Sequence, residues 1–355
     1  MKTFILQTRT SLIVYFLLFT ASVFAQTTHI VNNNANTSAD FTDLQTAIDA
    51  ATNGDVIYLQ QSATSYGEIT INKGLTIIGR SNGDASYKSE VGAIYLDAGA
   101  SNTTIKGLKT SSIQESSNTS TITDLALFDN DITGGISLGN VDTFDNVLLQ
   151  GNIIRSSFYI YTNTSNVLIT NNIILSSTVN FYMTDTLLFS NNVFGYYAGV
   201  YIVNNTASLL NISNSIFISN YFRNSPISFG NNSGTIQVNN CISYSYYNGG
   251  TYNFQTGAGI TINSNVQENV NPLFTNVDAS DSNSIAGNDS SNFDPINDDL
   301  TLQSSSTVVD AGLHEGYNFN NFGTATGYPS IKVLSNSATV PKNGNLSVTI
   351  EAKVN

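Results

Sequence analysis

Between Asp124 and Ser243 apolar and polar positions repeat as one phrase: TDLALFDNDI, DNVLLQGNII, SNVLITNNII, DTLLFSNNVF, SLLNISNSIF and GTIQVNNCIS. Aligned, the copies share an anchor at Asp131, Asn152, Asn172, Asn192, Ser215 and Cys241, with steps of 21, 20, 20, 23 and 26 residues. A strand-bearing period in the low twenties predicts a solenoid, because no copy can bury its apolar face without neighbours. Residues two apart on a strand share a face. One inward column therefore reads Ala126, Val147, Val167, Leu187, Leu210, Ile236, and a second Phe128, Leu149, Ile169, Phe189, Ile212, Val238. A third, just past the anchor, reads Ile132, Ile153, Ile173, Val193, Ile216, Ile242. Between the last two stand Asn130, Gly151, Asn171, Asn191, Asn214 and Asn240. Asn and Gly tolerate the left-handed backbone region, so this column predicts a one-residue corner. Its Asn amides (130, 171, 191, 214 and 240) are expected to stack as a structural ladder from rung to rung.

Outside the repeats the pattern changes period. Phe41, Leu44, Ile48 and Ala51 recur at helical spacing, with Asp40 placed to cap the start and Gly54 to end the helix. Such a helix ahead of a solenoid is expected to close the first rung's open edge. VIYL (56–59), EITI (68–71), GLTIIG (74–79) and 93–111 read as strands of the opening rungs. Residues 244–270 form a Tyr- and Gly-rich insertion, and 275–298, rich in Asn, Ser and Asp, read as loop. Ile331, Val333, Val340, Leu346, Val348 and Ile350 alternate with polar residues and predict closing or flanking strands. The organisation expected is a leader at 1–25, entry strand and cap at 26–54, a β-solenoid over 55–312, and strands within 313–355.

FTDLQTAIDAATNGDVIYL followed by GLTIIG resembles the opening of the pectate-lyase-like superfamily. NPLF (271–274) and DLTLQSSSTVVDAG (299–312) resemble the closing rungs of its secreted bacterial members. The resemblance brackets residues 40–312 and implies an all-β fold, a right-handed parallel β-helix with an N-terminal capping helix and C-terminal strands. It says little about activity, since the superfamily holds lyases, hydrolases, epimerases and proteins with no known chemistry.

Composition narrows the partners. The first 25 residues join Lys2 and Arg9 to the apolar run SLIVYFLLF and end Val23-Phe24-Ala25, a signal-peptide pattern with cleavage near Ala25. A secreted or cell-surface protein is expected, with no membrane insertion. Removing that segment leaves 25 acids and 10 bases. So acidic a chain is a poor partner for nucleic acid. Cys241 is alone and predicts no disulfide, only a small buried side chain.

The chemistry-bearing residues are few. Pectin hydrolases of the resembled architecture carry paired aspartates with a His and a basic residue in the middle rungs, whereas His29 and His314 lie outside the repeats. A uronate lyase needs a basic side chain and cations against the substrate carboxylate, yet only Arg155 and Arg223 stand between Lys109 and Lys332. Asp129, Asp131 and Asp145 are the weak catalytic candidates for a glycoside hydrolase. Asp129 has Lys106 one rung earlier, which predicts a surface ion pair. Asp124 and Asp145 begin successive repeats and can be imagined sharing Ca²⁺, although turn residues of that kind are common there. No other cofactor is implied.

Two outward columns are more informative. Leu127, Leu148, Leu168 and Leu188 make an apolar stripe, which predicts a cover, with the 329–355 strands as the first choice. With that cover a monomer is expected; without it, a partner. Tyr159, Tyr161, Tyr182 and Tyr201 stand outward on another strand, where aromatic rings suit a neutral polysaccharide or surface glycan. The expected function is a non-catalytic, glycan-associated protein. A polysaccharide-degrading enzyme and a structural or adhesive surface protein are the alternatives.

Overall fold

A computed structural model of the chain describes residues 26–307, apart from 36, 81–87, 117–118, 177, 184, 196–200, 221–225, 248–249, 288–292 and 294–297. It also describes two strands at 329–336 and 348–354. The leader at 1–25 and His314 lie outside the described residues.

The fold is a parallel β-solenoid. One eleven-stranded sheet and one fifteen-stranded sheet run its length, and successive turns supply neighbouring strands in each. A representative turn enters the first sheet at Thr143–Gln150, rounds a corner at Gly151 and Asn152, and joins the second sheet through Ile153–Ile154 and then Ser157–Ile160. Register is in step through the middle turns: Val147 pairs with Val167, Val167 with Leu187, Leu187 with Leu210, and Leu210 with Ile236. These side chains are buried, as is the column Leu149, Ile169, Phe189, Ile212, Val238. Each such aliphatic side chain contributes roughly 1.5–3 kcal/mol on burial, which is why one face of every strand is apolar.

The first copy sits one residue away from the expected alignment. Leu125 pairs with Val147 and Leu127 with Leu149, so Leu125 and Leu127 point inward while Ala126 and Phe128 point outward. A one-residue slip exchanges the faces of a strand. Here it buries two leucines and leaves Asn130 in line with Asn152. The ladder follows: Asn130 Nδ2 donates to Asn152 Oδ1, Asn152 Nδ2 to Asn172 Oδ1, and Asn172 Nδ2 to Asn192 Oδ1, each at 3.0 Å. Asn192 N then donates to Ser215 Oγ at 3.2 Å. A buried ladder thus runs from Asn130 through the anchor residues Asn152, Asn172 and Asn192. Asn171, Asn191, Asn214 and Asn240 hold the left-handed corner at φ 47–55°, and Asn240 Nδ2 donates to Asn214 Oδ1 at 2.8 Å.

The third expected inward column divides. Ile132, Ile154, Ile174, Phe194 and Phe217 enter the solenoid core. Their neighbours Ile153, Ile173, Val193, Ile216 and Ile242 face the opposite way. Adjacent strand residues point to opposite faces, so a double-apolar corner strand must be buried on both. The outer face is covered by Ile285 and Phe293 from the segment read as loop and by Phe274 and Leu300 from the expected closing rungs. The strands of those rungs, Phe274–Asn276 and Asp299–Leu302, pair antiparallel with each other and do not extend the two long sheets. A methyl group at Gly195 would stand 2.6 Å from Ile285 Cγ1, so the cover lies directly on the strand there.

The cap forms as a helix over Leu44–Ala50 with Leu44, Ala47 and Ile48 buried. Its N-cap is Asp43, whose side chain accepts from Thr46 N at 2.7 Å, and not Asp40. Asp40 instead accepts from Ile30 N at 2.8 Å, tying down the entry strand Thr28–Val31. That strand is also held by Asp55, which accepts from Thr27 N and Thr52 N at 2.8 Å. The strands Pro329–Asn336 and Val348–Val354 pair with each other, antiparallel.

Candidate functional site

The outward face of the second sheet is built in columns. Tyr95 pairs with Gln114, Gln114 with Ser137, Ser137 with Tyr159, and Tyr159 with Asn180. Beside it Gly135 pairs with Ser157, and Ser112 stands next to the pair of Ile113 with Ile136. Small residues on the rungs of Ser112 and Gly135 leave a hollow of about 250 Å³. Gln114, Ser137, Ser157, Tyr159 and Tyr161 line it. Gly135 lies at φ +114°, and a methyl group there would overlap the Ser157 carbonyl, so the floor needs glycine.

Aromatic rings form one wall. Tyr159 stacks on Tyr161 with centroids 5.8 Å apart and planes at 15°, and Tyr161 on Tyr182 at 5.3 Å and 12°. The three expected tyrosines are therefore brought together. Tyr201 begins the strand Tyr201–Asn205, and its side chain lies outside the described residues. Burial, Tyr159, Tyr182 and Glu115 raise the Tyr161 pKa above its ordinary value, against a hydrogen bond with Ser137. The phenol stays a neutral donor and acceptor. No lining residue is titratable other than tyrosine. Glu115, near Tyr161, accepts from Asn140 N at 2.8 Å, Val141 N at 3.0 Å and Asp142 N at 2.9 Å, closing the next turn.

The carboxylates singled out in the sequence lie elsewhere and have other partners. Asp131 is buried and takes a two-point contact from Arg155: Nε to Oδ1 at 2.6 Å and Nη2 to Oδ2 at 3.0 Å. Asp129 lies 3.4 Å from Lys106 Nζ, the ion pair expected, although its carboxylate is buried and Lys106 stands in register with Phe128. Asp145 accepts from Ser165 Oγ at 2.6 Å and Asn166 Nδ2 at 2.7 Å, and these bonds lower its pKa. A carboxylate held ionised is a poor general acid. Asp145 pairs with Thr123, whereas Asp124 lies one residue further and accepts from Asn146 Nδ2 at 2.5 Å. The two carboxylates are offset from a common column, and among the described residues no group of three His, Cys, Asp or Glu is placed to hold a metal ion.

His29 Nε2 lies 3.4 Å from Asp55 Oδ2 and its ring meets Phe41 edge-on, a position in the cap. Burial pushes the Cys241 thiol up to about 12, which leaves it unreactive. The leucine stripe is shorter than expected, because Leu127 is buried in the core. Leu148 is half-buried, while Leu168 and Leu188 are 37% and 46% exposed. The side chains of the 329–355 strands, expected as their cover, lie outside the described residues, and the element seen to cover an apolar column lies on the Ile153 face.

Sequence reading missed Tyr95, Gln114, Ser112, Ser137 and the Gly134-Gly135 floor. The available signal was a pair of small-residue rungs between two aromatic ones, legible only once the rungs are in register. No protein-family profile, curated protein sequence or solved structure matches this chain.

Proposed function

We propose that this is a secreted or surface protein of the pectate-lyase-like β-helix superfamily that binds neutral glycan without cleaving it. The observation that carries the reading is the Tyr159–Tyr161–Tyr182 stack beside a hollow lined by hydroxyl and amide groups and no carboxylate. Aromatic rings bind the apolar faces of sugars, and amide and hydroxyl groups match their hydroxyls. The lining of the hollow holds no acid/base pair, and the candidate acids Asp131, Asp129 and Asp145 are tied to Arg155, to Lys106, and to Ser165 with Asn166.

The test is a glycan array read with the native protein and with Tyr159→Ala, Tyr161→Ala and Tyr182→Ala. Binding to uncharged glycans that falls in each variant supports the reading. New reducing ends from any polysaccharide, abolished by Asp131→Asn or Asp145→Asn, would replace it with the hydrolase alternative. Leu168 and Leu188, 37% and 46% exposed, favour a second, adhesive reading; self-association in sedimentation that Leu188→Lys abolishes, with no glycan bound, would select it.

A further inference from the structure

We infer that the ligand of this face is a linear, uncharged polysaccharide lying along the solenoid axis, and that Tyr95 is the far platform of its site. The inference rests on the glycan reading and extends it. Tyr95, Gln114, Ser137 and Tyr159 occupy one outward column on four successive rungs. With strands ~4.8 Å apart, the two tyrosines are separated by ~14 Å along the axis.

Both ends of this column are aromatic and half-buried, and between them stand one amide and one hydroxyl. The two rings lie three rungs apart along the axis, and the strand Gly135–Leu138 between them offers only outward positions 135 and 137 across it. A ligand touching both rings must therefore follow the axis. A pyranose unit is about as long as one rung, so a polymer running this way meets a new side chain at each sugar. Gln114 presents a donor and an acceptor where a chain stacked on both rings passes over it.

The column also decides charge. The column holds no acidic or basic side chain, and Glu115 beside it is engaged by three backbone N–H groups. Lys88 is paired with Glu90 at 2.9 Å. An anionic polymer finds no free cation along this column and meets a chain of net charge −13.

Calorimetry tests the inference with disaccharides and hexasaccharides of the cello, xylo and manno series, and an oligogalacturonate as the charged control. The proteins compared are the full chain, Tyr95→Ala, Tyr95→Leu and Tyr159→Ala. Tyr95→Leu keeps apolar bulk, so a packing loss is separated from loss of the aromatic face. The expected result is a bound neutral hexasaccharide, weakened about tenfold by either Tyr95 substitution. The disaccharide should be unaffected at Tyr95 and weakened at Tyr159. Hexasaccharide affinity unchanged in both Tyr95 variants but reduced in Tyr159→Ala overturns the lengthwise site and leaves the glycan reading standing. No binding of any neutral member, or binding indifferent to Tyr159, removes the glycan reading and this inference together.

Discussion

At the scale of single residues, the buried amides of the ladder carry more of the fold than any ion pair on its surface. Asn172 Nδ2 donates to Leu149 O and Thr170 O at 2.9 Å and to Asn192 Oδ1 at 3.0 Å, while its Oδ1 accepts from Asn152 N at 2.9 Å. Removing the amide leaves several buried groups unpaired, each costing about 1–3 kcal/mol. Asn172→Ala should lower unfolding stability by about 3 kcal/mol, read as a shifted urea midpoint. Asn172→Ser should cost less, since Ser215 already fills a ladder place: its Oγ accepts from Asn192 N and donates to Ser213 O at 2.9 Å.

Two aspartates give the pH dependence opposite signs. Burial pushes Asp298 up from 3.8 to about 6, with Asp281 and Asp278 adding to it against hydrogen bonds from Ile285 N and Ser284 Oγ. The native state holds that proton more tightly than the unfolded chain, so the contribution is full below 3.8 and is lost as pH rises through about 6. Asp298→Asn should flatten the fall in melting temperature across that window. At Asp55 burial is outweighed by the N–H groups of Thr52 and Thr27, the Thr52 hydroxyl and His29, which bring it down to about 2. Its contribution is present above 3.8 and lost as pH falls toward 2.

At the scale of elements, the two apolar stripes are chemically alike and energetically different. Ile173 is fully buried beneath the 274–302 cover, whereas Leu188 is 46% exposed. Ile173→Thr should cost about 2–3 kcal/mol from lost packing and a buried hydroxyl. Leu188→Thr should stay within about 0.5 kcal/mol. Equal losses in chemical denaturation would mean that Leu188 is covered too. The charged end of the first stripe is Asp131 with Arg155, where the column changes from Asp131 to Ile153. Arg155→Leu strands a buried carboxylate and should cost about 3 kcal/mol, with much of it returned by adding Asp131→Leu.

At the scale of the whole molecule, the solenoid and its cover are separable by one residue. Ile285 sits against Gly195, and its N–H is fixed by Asp298 Oδ2 at 2.6 Å. Ile285→Glu should lift the cover, raising the fluorescence of a hydrophobic dye while the far-ultraviolet spectrum of the stacked strands persists. Loss of both signals together would show that the cover and solenoid fold as one unit.

The helical spacing of Phe41, Leu44, Ile48 and Ala51 was enough to determine the lid, and the repeats to determine the stacked strands and the apolar interior. The strands and interior follow from a side-chain period of two within a strand and a period of about twenty between rungs. Tertiary structure alone decided where the first copy enters that stack, because Leu125/Leu127 and Ala126/Phe128 satisfy the alternation equally well until Asn130 must meet Asn152. It also decided that Ile153 and Ile154 serve two different cores, and that the non-periodic 274–302 segment supplies the second. The same holds for the face joining Tyr95, Gln114 and Tyr159. Those residues lie on different turns joined by connections of unequal length, and only the pairing of strands brings them into one column.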